Sequence, residues 1–129
     1  MSDVQGLVIG TDHTISLQSI DVDGGDSLQT LVGGWIECAP CADSELSFWI
    51  NEEGKLNGLP LNELGTALWH LTTPIMRHHD ILVGTVVITG GVGPEGETLT
   101  LPAGWSAKFA SIIDFDLSEE LIEWAMGWV

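Results

Sequence analysis

Basic side chains are nearly absent from this chain. Lys55, Arg77 and Lys108 stand against 19 Asp and Glu in 129 residues, giving a formal net charge of −16 and a pI near 4.1. So few cations cannot neutralise a run of phosphates or release their counterions, which excludes ordinary nucleic-acid binding. The same balance argues against docking on an anionic membrane surface. Long apolar runs are missing too: residues 81–88 are the best stretch, far short of the roughly 20 needed for a membrane span. The N-terminal residues 1–6 carry neither the basic region nor the apolar core of a signal peptide. The expectation is a cytoplasmic protein with no membrane contact. Two cysteines do not make a disulfide framework. No GxSxG, HExxH, P-loop or dinucleotide-binding fingerprint occurs, so nothing points to an enzyme, a cofactor or a metal.

What is present is apolar material enough for a core. Hydrophobic residues make up 44% and mean hydropathy is +0.26, so the acidity is not that of a disordered tail. A chain of this length buries roughly two-thirds of its unfolded surface as one unit. Residues 6–9, 14–20, 35–39 and 46–50 read as strands. Residues 28–32 read as a short helix capped by Asp26 or Ser27 and stopped by Gly33-Gly34. A hairpin turn over residues 51–55, with Gly54 left-handed, would return as a strand at 55–57. Asn62 caps a helix over 63–71 with Leu64, Ala67, Leu68 and Leu71 as its apolar stripe. Residues 80–89 are apolar on both faces, the pattern of a covered central strand, with Gly84 marking a bulge or a close backbone approach. Residues 97–101 read as a last strand. Beyond Pro102 the periodicity turns helical, with an Asp116/Glu119 capping box opening a final helix. The expected fold is α+β, a mostly antiparallel sheet with two short helices and a helical C-terminal extension. The division is a domain at residues 5–102 and the extension at 103–129.

Several motifs carry two readings. Cys38-Ala39-Pro40-Cys41 has redox spacing, yet residues 42–45 are too few for the helix that activates such a thiol, and incidental loop thiols are the blander reading. Adding His78 and His79 gives a zinc set on paper, but adjacent histidines point apart. Asn51, Glu52, Glu53, Lys55, Asn57 and Asn62 form the densest polar constellation. They make either a docking loop or a tight double turn whose Asn side chains bond local backbone, the second being favoured. Trp35, Trp49 and Trp69 fall on core-like positions. In the extension Trp105 and Trp124 are expected to fold back, while Trp128 is a candidate for a homodimer interface through the C-terminal helix.

The run "WINEEGKLNGLPLN", with "LVGGWIE" before it and "DILVGTVVITG" after it, resembles a family of short uncharacterised proteins of bacteriophages, plasmids and actinobacteria, a domain of unknown function. The resemblance spans residues 6–102. It carries no catalytic residue across; it implies a mobile-element context, in which small proteins act on host machinery or host defence.

The function expected is therefore binding without catalysis. A basic host protein is the partner that a strongly negative body meets fastest, and in the sharpest form the carboxylates mimic nucleic acid in a host nuclease or polymerase. The protein-binding candidates are Glu52, Glu53, Asp114, Asp116, Glu119, Glu120, Glu123 and Trp128. The alternative is a small-molecule binder that sequesters a nucleotide-type signal near the double turn, using Asn51, Lys55, Asn57, Asn62, Arg77 and His78.

Overall fold

Strand β1 (Asp3–Ile9) pairs with β2 (Ile15–Asp21) in one hairpin, and β3 (Ile36–Ala39) pairs with β4 (Leu46–Asn51) in a second. Strand β5 (Val86–Gly90) inserts between them, giving the order β2-β1-β5-β4-β3 with every pairing antiparallel. The computed structural model describes residues 3–22, 26–114 and 116–127. The helices are α1 (Asp26–Val32), α2 (Glu63–Thr72), α3 (Ala103–Asp114) and α4 (Ser118–Met126), with a 3-10 turn at Pro74–His78. This is the expected α+β architecture.

Side-chain alternation builds a core on each face of the sheet. Leu7, Ile9, Phe48, Val86 and Ile88 pack with Leu64, Leu68 and Trp69 of α2 and Phe109 of α3. Val4, Ile20 and Val87 point the other way, onto Leu28 and Val32 of α1. Every residue of β5 is buried, so the both-faced apolar pattern did mark the centre of the sheet. The strand is shorter than its pattern. Gly84 adopts a φ of +72°, and a Cβ there would lie 2.8 Å from Leu59 Cδ1. Before this bend the chain pairs elsewhere: Leu61 bridges Val83, Asn62 N–H donates to the Leu82 carbonyl, and Gly84 N–H donates to that of Pro60.

Asn62 is fully buried where these pieces meet. Its Oδ1 accepts from Gly65 N–H at 2.8 Å, capping α2 as expected. Its Nδ2 donates to the carbonyls of Ile9 at 2.9 Å and Gly84 at 2.8 Å. One amide thus joins the end of β1, the start of α2 and the bend before β5.

Several local expectations are corrected. Residues 55–57 form no strand; residues 52–58 are a continuous turn in which Asn57 N–H bonds the Glu53 carbonyl. Gly58, not Gly54, carries the positive φ, +68°, while Gly54 is required by the close approach of Val83 Cγ2. Residues 97–101 form only an isolated bridge, Val92 to Thr98, because Gly93 and Gly96 fold the loop back on itself. Asp116 does not cap α4: it sits at φ +55°, and Leu117 takes the cap position without a side-chain bond. Trp35 is 66% exposed just ahead of edge strand β3, whereas Trp69 is fully buried with its indole N–H on the Pro40 carbonyl at 2.8 Å.

The C-terminal helices pack onto the body. Phe109 is in the main core, with Trp105, Ile112, Leu121 and Ile122 against it, and Ala125 is buried. His70 of α2, fully buried, has Nε2 2.7 Å from the Asp80 carbonyl and meets the Ala125 backbone of α4. Burial pushes its pKa below the ordinary 6.5, with Arg77 acting the same way against the Asp80 and Ala125 backbones and the Asp80 charge.

Two outcomes follow for stability. Asn62→Ala removes a cap and leaves two buried carbonyls short of donors, so urea denaturation should show a loss of about 3 kcal/mol. For His70 the unfolded chain binds the proton more readily than the folded one. Its contribution is complete above pH 6.5 and is lost as pH falls below that value. Between pH 7 and pH 5 the melting temperature of the wild type should therefore drop relative to that of His70→Gln, in which the carboxylate titration is unchanged.

Candidate functional site

Every Asp and Glu whose side chain is described is exposed or half-buried. The three strong cations do little to offset them. Lys55 pairs with Asp80, Arg77 is committed to a backbone carbonyl, and Lys108 Nζ lies 4.9 Å from the centroid of the Trp105 ring. The negative field at the surface is thus largely uncompensated.

Part of that charge lines one open concavity of about 490 Å³, formed by Asp116, Ser118, Glu119, Ile122 and Glu123 with Glu63 and His13. Helical spacing puts Glu119 and Glu123 on one side of α4, and α2 contributes Glu63 from its first turn. The β1–β2 turn delivers His13, whose Nε2 is 3.1 Å from Glu63 Oε1. That turn is set by Asp12, whose Oδ1 accepts from the Thr14 hydroxyl at 2.7 Å and from its N–H at 3.2 Å, holding the Asp12 carboxyl below its ordinary pKa. Of the expected protein-binding residues, Asp116, Glu119 and Glu123 come together here. Glu120 is exposed on the same helix without lining the concavity. The Asp114 side chain and Trp128 lie outside the described residues. Sequence reasoning missed His13 and Glu63, which are separated from α4 along the chain.

The double turn borders a second depression, a cleft of about 210 Å³. Asn51, Glu52 and Lys55 form one side, Asp80 to Val83 another, and Glu37 with Ala39 and Pro40 of the β3 edge a third. Glu52 and Glu53 are exposed on the turn. Half of the polar constellation, Glu53, Asn57 and Asn62, stays off the cleft. Asn51 is buried, donating to the Val32 carbonyl at 3.2 Å and accepting from Glu53 N–H at 2.8 Å. Asn62 is consumed by the junction described above, and Asn57 is exposed. The side chains of Asn51 and Asn62 bond backbone here, whereas Asn57, expected to do the same, is exposed on the turn.

Arg77 and His78 lie elsewhere, at the end of the 3-10 turn. Arg77 Nε and Nη2 donate to the Trp124 carbonyl at 2.9 and 2.7 Å, and the guanidinium sits 4.7 Å from the Trp124 ring centroid. Its Nη1 donates to His78 Nε2 at 3.2 Å. A cation on a carbonyl in the last turn of α4 suits the helix dipole, so Arg77 clamps the C-terminal helix.

The fold and these surfaces define a small acidic α+β domain whose charge is external to its core. A family model, the domain of unknown function DUF3846, matches residues 4–111, and the chain belongs to that family. The match runs from β1 into α3, past Pro102. No curated protein and no solved structure matches the chain significantly. No helix among the described residues is long and apolar enough to cross a membrane.

Replacing Arg77 by Ala removes two carbonyl bonds and a cation–π contact, a loss of about 1–3 kcal/mol. Amide exchange should accelerate on the order of tenfold or more across α4 while β5 keeps its protection.

Proposed function

We propose that this protein is a non-enzymatic acidic binding protein of a bacteriophage or other mobile element, acting on a basic host protein through its negative surface. The observation that carries the reading is the concavity of Asp116, Glu119, Glu123 and Glu63, an anionic recess with His13 on its wall. Lys or Arg side chains of a partner would enter it with charge-assisted hydrogen bonds. A host protein that handles nucleic acid already carries such side chains in a groove, and carboxylates would occupy it in place of phosphates. Cytoplasmic action follows from a host target of that kind.

A nucleotide-type ligand in the cleft is the weaker reading. The cleft is smaller than the roughly 300–1,000 Å³ of ordinary ligand sites. Its one cation, Lys55, is paired with Asp80, and Glu37 and Glu52 add negative charge. Nucleotides are expected to leave the melting temperature unchanged; a rise would favour this alternative.

Pull-down from a bacterial lysate at low and high salt tests the main reading. A basic, nucleic-acid-handling partner should be retained at low salt, lost as salt screens the contact, and displaced by duplex DNA. The triple variant Asp116→Asn, Glu119→Gln, Glu123→Gln should bind that partner about tenfold or more weakly with an unchanged fold. Salt-insensitive binding, or full affinity in the triple variant, would overturn the reading.

A further inference from the structure

The connection from β3 to β4, residues 40–45, is tied down at two points. The buried Trp69 indole holds the Pro40 carbonyl at 2.8 Å, and the Thr73 hydroxyl accepts from Ala42 N–H at 3.0 Å. Cys41 lies between these anchors and Cys38 just ahead of them, at the end of β3. Cys41 Sγ lies 3.3 Å and Cys38 Sγ 3.7 Å from the same oxygen, the Ala39 carbonyl, which brings the two thiols side by side. Cys38 is exposed, and Cys41 is half-buried against the main core. Both are free thiols.

We infer that Cys38 and Cys41 form a redox-active dithiol that exchanges with low-molecular-weight disulfides, Cys38 attacking and Cys41 resolving. The Cys38 thiolate attacks one sulfur of the small disulfide. A mixed disulfide forms at Cys38, and one small thiolate leaves. Cys41 then gives up its proton and attacks Cys38 Sγ, closing the Cys38–Cys41 bond. The second small molecule departs as a thiol carrying that proton. The small disulfide is reduced by two electrons and the protein dithiol is oxidised by two. The division of labour follows from position, since the exposed sulfur meets the substrate and the sheltered one waits beside it.

The local chemistry agrees. The hydrogen bond from Cys41 pulls the Cys38 thiol down to about 7, against its partial burial, with the Ser47 hydroxyl and the Phe48 N–H assisting and Glu37 opposing. The same bond and burial push Cys41 up. The Cys41 thiol, assisted by donors from β4, thus takes the part that a helix N-terminus plays in other CxxC sites. This chemistry is stoichiometric and independent of the acidic concavity.

The test is mass spectrometry of the full chain after exposure to glutathione disulfide. The wild type should lose two hydrogens and both alkylatable thiols, and dithiothreitol should restore them. Cys41→Ser should accumulate one glutathionyl group on Cys38, whereas Cys38→Ser should react about tenfold more slowly or not at all. Iodoacetamide should label Cys38 of the wild type first, with a midpoint near pH 7. A wild type that stays reduced, that carries glutathione on both thiols, or that is labelled first at Cys41 would overturn the inference.

Discussion

The fold hangs on one primary amide. Asn62 supplies the cap that starts α2, while its two N–H groups bind carbonyls at the end of β1 and at the bend ahead of β5. Those three backbone groups belong to segments far apart in sequence and are buried, where each needs a partner. An aspartate could accept but not donate there, and would bring a charge into the interior. The N-cap is therefore also the pin that sets how α2 lies across the sheet, and with it where Glu63 emerges.

Charge and core are kept apart in this molecule. The described carboxylates are all at or near the surface, so none depends on a buried counter-ion. Two of the three strong cations serve the C-terminal helices instead. Arg77 grips the Trp124 carbonyl, and Lys108 covers the Trp105 ring, itself stacked at 5.5 Å on buried Phe109. The surface can stay strongly negative because Arg77 and Lys108 serve architecture and only Lys55 pairs with a carboxylate, that of Asp80.

The regular parts of the structure were legible wherever a single period governed them. Alternation in β1, β4 and β5 gave the faces, Asn62 stood out as a cap, and the stripe of α2 was right at Leu64, Ala67 and Leu68, whereas Leu71 is exposed and Trp69 and His70 are buried beside it. Reading failed where a glycine redirected the chain. The apolar run 80–89 looks like one strand, yet Gly84 divides it between two partners. The turn after Asn51 curls through residues 52–58 rather than returning as a strand. Trp35 shows the limit of hydropathy at a sheet edge, where an aromatic side chain has no facing layer to enter. At the acidic concavity the spacing of Glu119 and Glu123 was visible, but their meeting with Glu63 and His13 depends on tertiary packing. The clamp between Arg77 and Trp124 spans 47 residues, and its acceptor is a backbone oxygen, which no residue type announces.

The strand order has a consequence for assembly. The middle of the sheet is made by the strand that leaves the ribosome last, after both hairpins. A nascent chain that has already formed those hairpins has a vacant slot, flanked by the unpaired backbones of β1 and β4, until residues 86–90 arrive. Such open edges template pairing with any extended segment, including the same apolar strand of a neighbouring chain. Insertion of β5 covers both of those edges at once, so the last strand in the sequence is the one that closes the sheet's interior.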